Sequence, residues 1–559
     1  MVIKRSLFLI LVCIVMGASF WPATIRAQEN QNTVVIAMQP PADLEAATIS
    51  RFDENKRDIL ENLFVGLTRF NANSGQIEPY LAKDWTVSPD GLTWTFNLRD
   101  DIQWVEVQNG EPTAVRPVVA GDIVFAIQRA CDPNRPSPVT SNMAIIVGCR
   151  EVATALDSWE ITQEALDQRI GVKALDDQTV EFKLLFPAAY FLTLTALPEF
   201  RPLPPERVIG SNLWPVGTDM MTSSAWVVTS WDALQMTLEA NPFWPLEREG
   251  NLDSVTIRFD VGADVLPSRF ASGDVAIART DALTAASIGA TDSSLVKIGE
   301  GETLTLLGFS MEYPDLNNPL LRRALALAID HDYIAQNVVV GDAKFLAATR
   351  FTPRSVIAAP SAPGAGFDPV TAQSLLAESG HANCSFSERL RIAVENDAIA
   401  TLVAQLTIQQ WQINLGCSDG TFELVVLTRQ EVVNNVHANI DFGEEQTRHP
   451  LWFITWSADY PDANAWAADA LHCQFGYLRV GRACDNTDVL FDQAGLNSDI
   501  RSRLDAYTRA ETELFGPSGS FPVIPIVINS QIRVQQKWLS GVANYGPFQF
   551  DRWVVNRGE

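Results

Sequence analysis

The sequence predicts a mixed α/β protein built from two or three structural units, and three observations lead there. Of the 559 residues, 47% are hydrophobic and 19% charged, and aromatics are spread along the whole length, a composition that describes a globular chain with large buried cores. The length exceeds the roughly 50–250 residues that one core organises. Finally, segments with an apolar period of two alternate along the chain with segments of helical period.

At the N-terminus Lys4 and Arg5 precede an apolar run over residues 7–20, and small or polar residues follow as far as Ala27. That order predicts a secretory signal peptide over residues 1–27, cleaved near Ala27. The run is shorter than the roughly 20 residues that span a bilayer, and no later segment is long and apolar enough to do so. Cys13 follows Val12 inside the apolar run, where a lipoprotein signal would place a small residue, so no lipid anchor is expected. The mature chain is expected to be exported and soluble, in the periplasm or at the cell surface. Loss of Lys4, Arg5 and Arg26 takes the formal charge from -26 to -29, because residues 1–27 contain no acid. Such acidity makes nucleic acid a poor partner and otherwise reads as solubility.

Cys13 leaves with the signal, and the remaining six cysteines form three sequence-local pairs, Cys131 with Cys149, Cys384 with Cys417, and Cys473 with Cys484. An even count suits an oxidising compartment. Six cysteines permit about 15 connectivities, so neighbour pairing is a hypothesis resting on short loops. No CxxC pair or Cys/His cluster suggests a metal site.

Residues 33–38 (TVVIAM) read as a buried strand, and residues 57–70 as a helix ending near Gly66. Next, Ser88-Pro89-Asp90-Gly91 reads as a turn into a strand whose Leu92, Trp94, Phe96 and Leu98 face one way. The stretch ENLFVGLTRFNANSGQIEPYLAKDWTVSPDGLTWTFNLRDDIQW, residues 61–104, resembles the opening signature of the family-5 solute-binding proteins, which include oligopeptide- and dipeptide-binding components of ABC importers. Four more blocks are similar to that family, in order. Residues 116–133 place Val119, Ile123, Ala126, Ile127 and Ala130 on one helical face. Residues 176–187 alternate Val180, Phe182, Leu184 and Phe186 after a turn. Residues 217–244 end in a strand pair and an Asn-Pro-aromatic-Trp turn, although Thr222-Ser223-Ser224-Ala225-Trp226 stands where the family has a Gly-Pro-aromatic step. In the helix that follows a strand at residues 303–310, Asn318 caps, Pro319 takes the first position, and Leu321, Ala324, Leu325, Ala328 and Ile329 make one apolar stripe.

The block LWFITWSADYPDANAW, residues 451–466, runs an apolar strand into Trp456, Asp459 and the turn Tyr460-Pro461-Asp462. The resemblance implies that Asp459 pairs with the free α-ammonium of a bound peptide and that Trp456 and Tyr460 lie beside it. A carboxylate is the natural partner of an ammonium entering a closed cleft. On the residues alone, Asp459 equally suits capping of the next helix, and Trp456 suits core. Arg429, Arg448 and His449 are candidates for the ligand's carboxylate, which a guanidinium grips in two places.

The resemblance implies a periplasmic-binding-protein-like α/β fold, two lobes around a cleft with an extra subdomain in the first. Its expected division is residues 30–70, 207–308 and 525–559 for lobe 1, 71–206 for the subdomain, and 309–524 for lobe 2. It further implies capture of di- or oligopeptides by lobe closure and delivery to a permease with separate ATPase subunits, the capturing protein being a monomer without a cofactor. An oligosaccharide, a nickel complex or haem is the alternative cargo, and an exported hydrolase the alternative function. Catalytic machinery is not visible: there is no nucleophile elbow, HExxH or phosphate-binding glycine loop, and the five histidines are scattered.

Overall fold

Strand and helix signals of this kind assemble, in the computed structural model, around one large mixed sheet. The structure describes residues 32–49, 53–71, 74–135, 137–155, 162–208, 217, 220–338, 344–437 and 448–558. The expected signal segment over residues 1–27 lies outside them.

The sheet runs in the order Trp226–Trp231, Gln235–Ala240, Ser254–Arg258, Thr33–Ala37, Ile277–Arg279, Val523–Gln535, Val296–Phe309, Leu451–Trp456, Leu390–Glu395, Phe422–Leu427. Its two halves have the same logic. Thr33–Ala37 lies parallel to Ser254–Arg258 and to Ile277–Arg279 on one side. Leu390–Glu395 lies parallel to Phe422–Leu427 and to Leu451–Trp456 on the other. Between them stand two long antiparallel strands, Val296–Phe309 of 14 residues and Val523–Gln535 of 13. Both read as near-continuous apolar runs where they are buried, as strands covered on both faces must. Leu304, Leu306, Leu307, Phe309, Val523, Ile526 and Val527 are all buried.

The ladder between these strands breaks register between Glu300 and Leu304. A bulge leaves a backbone amide to be satisfied elsewhere. Here Asn529 Oδ1 accepts it from the Thr303 N–H at 2.8 Å. Gly301 makes room for that side chain, since a Cβ at this position would stand 2.3 Å from Asn529 Oδ1. The bulge thereby sets Glu302 aside from the pleat.

A separate four-stranded antiparallel sheet holds Ala82–Val87, Thr93–Leu98, Thr179–Lys183 and Val172–Asp176 in that order. Trp94, Phe96, Val180 and Phe182 point into its core, whereas Phe186 is exposed because the strand ends at Lys183. The helix Ala120–Cys131 covers this sheet. In the second half of the chain Pro319–Leu327 forms the helix that Asn318 caps, its side chain accepting the Leu320 amide at 3.0 Å. Ala398–Leu415 packs across Leu390–Glu395 and Leu451–Trp456, and its Trp411 indole donates to the Leu325 carbonyl at 2.9 Å. Among the described residues no helix is long and apolar enough to cross a membrane.

The first helix differs from its sequence reading. It spans Glu54–Leu63, capped by Asp53, whose side chain accepts the Lys56 amide. It stops before Gly66 because Thr68–Asn71 pairs instead with Gln76–Pro79 as a strand. At its end Thr222–Ser224 is tucked in, the Ser223 amide donating to the Leu63 carbonyl at 2.9 Å.

Beside this helix the C-terminal segment is locked by a buried ion pair. Arg69 Nη1 and Nη2 donate to the two Asp551 oxygens at 2.7 and 2.6 Å, with both side chains about nine-tenths buried or more. Removing one partner of such a pair strands the other charge without water. Asp551→Ala is expected to lower unfolding free energy by about 3–5 kcal/mol in urea titration, and a loss below about 1 kcal/mol would show that Arg69 has another sufficient partner.

Candidate functional site

A cavity of about 360 Å³ opens where segments from both halves of the sheet and from the four-stranded region meet. The helix Glu54–Leu63 contributes Arg57 and Glu61, four residues apart and therefore on one face. The bulge contributes Glu302, the short helix Thr140–Met143 contributes Asn142, and the turn Pro198–Phe200 contributes Glu199. Ser355 and Ile357 come from a loop, and Ala458, Asp459, Tyr460 and Pro461 from the end of the strand Leu451–Trp456. Ile49, Phe70, Val139 and Leu197 supply apolar wall. The volume sits at the lower end of what small-ligand sites enclose, roughly 300–1,000 Å³.

The charges are unevenly compensated. Glu61 receives Arg69 Nε at 3.2 Å and Gln549 Nε2 at 3.0 Å on one oxygen and Arg201 on the other. Glu199 is buried and accepts a hydrogen bond from Asn142 Nδ2 at 2.7 Å. Burial pushes the Glu199 carboxyl above its usual range, with the Asn142 bond opposing. Burial likewise raises Glu302, opposed by Arg57 and reinforced by Glu54. Arg57 is thus the cation that both carboxyls share.

The same region ties the two halves together. Tyr190 stacks on Tyr460 with ring centroids 5.2 Å apart. Thr193 Oγ1 donates to the buried Asp462 at 2.8 Å, and Asn142 Nδ2 reaches the Asp459 carbonyl at 3.5 Å.

Of the residues singled out in the sequence, Asp459 and Tyr460 line the cavity, Asp459 exposed and Tyr460 buried. Tyr460 donates its hydroxyl to Asp469 Oδ2 at 2.8 Å, and burial raises its pKa well above the usual tyrosine range. The amide at the start of the following helical segment, that of Asn464, is taken by Asp462 Oδ1 at 2.9 Å. Trp456 is half-buried outside the lining, tilted against Tyr477 at 5.2 Å. Arg429 is exposed and paired with Glu395 at 3.1 Å, away from the cavity wall. Arg448 is buried and spends its guanidinium on the carbonyls of Asn435, Val436 and Arg479 and on Glu312. His449, half-buried beside it, donates its amide to Asn435 Oδ1 at 2.7 Å.

Arg57, Asn142, Glu199 and Glu302 were not singled out in the sequence. They come from separate segments, and none stands in a local motif. The 57/61 spacing on one helix face was the available signal.

The six cysteines are joined as Cys131–Cys149, Cys384–Cys417 and Cys473–Cys484. Among the described residues His472, Cys473 and Asp488 cluster closely, but the Cys473 sulfur is bonded to Cys484 and offers no thiolate to a metal.

The pattern described as "Bacterial extracellular solute-binding proteins, family 5 Middle" matches residues 76–477. The chain belongs to this family. It is 25% identical over 516 residues to the probable deoxycholate-binding periplasmic protein YgiS of Escherichia coli K12, covering 88% of this chain and 86% of that one. It is 27% identical over 515 residues to the oligopeptide-binding protein OppA of Bacillus subtilis, with 87% and 85% covered. The fold matches the unliganded open form of the murein tripeptide binding protein MppA with a TM-score of 0.78, at 20% identity, over 94% of this chain and 98% of that one. The two-lobed binding-protein architecture expected from the sequence is therefore the fold of this family-5 chain.

One wall segment depends on a buried acid. Glu511, on the helix Ile500–Phe515, accepts the Thr352 amide at 3.0 Å and so holds the loop that carries Ser355 and Ile357. Burial pushes its carboxyl up to about 7, against the hydrogen bond from Thr352. A carboxyl that binds its proton more tightly folded than unfolded contributes stability that is fully present below the ordinary 4.5 and is lost as pH rises to about 7. Wild type is expected to lose a few degrees more of melting temperature across that window than Glu511→Gln. Superimposable pH profiles in thermal melts would place the titration elsewhere.

Proposed function

We propose that this chain is the capture component of an ABC importer for short peptides, working outside the cytoplasmic membrane and turning over no substrate. The observation that carries the reading is Asp459, an exposed acid that lines a cavity walled by both halves of the molecule. A zwitterion leaving water needs a charged acceptor for its ammonium, and walls drawn from two lobes bury it when they approach each other. Arg57 is the guanidinium in the cavity wall that a ligand carboxylate would meet, in place of Arg429, Arg448 or His449. Peptide binding by relatives named for oligopeptides supports the same cargo. Delivery would be to a permease driven by separate ATPase subunits. Residues 1–27 would direct export and be removed near Ala27, and three disulfides suit the oxidising compartment reached. The lobe boundaries drawn from the sequence are part of this proposal.

Mass spectrometry of what the purified mature chain retains from mixed peptides and oligosaccharides is expected to show peptides, unhydrolysed. Turnover without retention would replace the reading with a hydrolase. In calorimetric titrations Asp459→Asn is expected to weaken free peptides about tenfold or more, a cost of one or more kcal/mol, and N-acetylated peptides much less. Equal affinity of wild type and variant for free peptides would remove Asp459 from the ammonium site.

A further inference from the structure

Peptide capture accounts for one carboxylate and one guanidinium, and the cavity holds more. Among its described lining residues four are acidic and one is basic. Glu61 is answered from behind by Arg69 and Arg201, and Asp459 and Arg57 face the ligand's termini in the reading above. Glu302 is offset by Arg57, and Glu199 by Arg57, by Arg201 and by the Asn142 amide. Two further atoms point to the chemistry that is missing. Asn142, 6% exposed, gives its Nδ2 to Glu199 and to the Asp459 carbonyl, and its Oδ1 has no partner among the described residues. Ser355, 7% exposed, has an Oγ without a hydrogen-bond partner among the described residues. An amide oxygen can accept and never donate, so Oδ1 is completed by an N–H or O–H donor alone. Buried acceptors and carboxyls left in this state cost free energy until a donor arrives, and a cationic donor satisfies both deficits together.

We infer that the cavity selects peptides carrying a second positive charge, a lysine or arginine side chain set against Glu199, Glu302 and Asn142 Oδ1. This rests on the peptide reading. The ligand's own carboxylate competes for Arg57, so occupancy by a neutral zwitterion weakens the offset that Glu199 and Glu302 share. A basic side chain restores it. An anionic amphiphile of the bile-acid type would instead bring a charge toward three carboxylates and one guanidinium.

The test is isothermal titration of the mature chain with Ala-Ala-Ala, Ala-Lys-Ala, Ala-Arg-Ala, Ala-Glu-Ala and deoxycholate. The expected result is about tenfold tighter binding of the two basic peptides than of Ala-Ala-Ala, with Ala-Glu-Ala weakest, the size of one charge-assisted contact. In Glu302→Gln, and separately in Glu199→Gln, the Lys-to-Ala ratio is expected to fall to about threefold or less. Two variants are used because Glu199 is buried, and each is titrated only after its melting curve shows a folded protein. Equal affinity of wild type for Ala-Ala-Ala and Ala-Lys-Ala would overturn charge selection and leave peptide capture standing. An unchanged ratio in both folded variants would overturn the assignment to these carboxyls. Binding of deoxycholate with no binding of any peptide would overturn the peptide reading and this inference with it.

Discussion

The pairing of Val296–Phe309 with Val523–Gln535 is the constraint on which the rest of the structure depends. Each of the other sheet strands belongs to one half of the molecule. These two belong to both, giving Ile277–Arg279 a neighbour at one end and Leu451–Trp456 a neighbour at the other. Strands 14 and 13 residues long exceed the usual five or six because they must serve two layers of packing in succession. The register break at Glu300 to Leu304 falls where one layer gives way to the next, and the cavity lies there. A bulge adds local twist and re-aims a side chain, so the change of direction and the placing of Glu302 have one cause.

Charge is handled in two ways around the helix Glu54–Leu63. Arg69, Arg201, Glu61 and Asp551 form a closed set of two cations and two anions that fastens the C-terminal segment to the helix. In the cavity Arg57 stands among carboxyls that outnumber it. A closed set of this kind is structural, since each charge is already answered within the protein. A set in which acids outnumber the cation can be offset further by a cation that arrives from solvent. The division explains why Arg448, despite being an arginine near Asp459 in sequence, belongs to the first kind: backbone carbonyls fill its donors.

What was legible in the sequence was whatever a single segment decides. Alternation in Thr93–Leu98, the Asn318-Pro319 helix start, and the apolar strand ending at Trp456 each follow from local rules of pleat and cap, and each stands in the structure. Even the misread helix end was a local contest, lost because strand pairing of Thr68–Asn71 outweighed helical period. The cavity was legible at Asp459 and Tyr460, and there through family resemblance. Arg57, Asn142, Glu199 and Glu302 meet through four separate segments, and no spacing along the chain encodes that meeting. Whether a carboxyl is answered depends on what packs behind it, which is why Glu61 and Glu199 look alike in sequence and differ in place.

The position of the second long strand near the chain's end bears on how the molecule is made. With Val523–Gln535 still unsynthesised, the strand Val296–Phe309 lacks one of its two neighbours and Ile277–Arg279 has no link to the second half. The sheet can be completed only after more than nine-tenths of the polypeptide exists, so its first half has an unpaired edge while the 243 residues between Arg279 and Val523 are made. Late closure is a hazard for a protein that folds where it is made. For a chain that has to remain extended until its final residues emerge, the same topology is a safeguard against folding too soon.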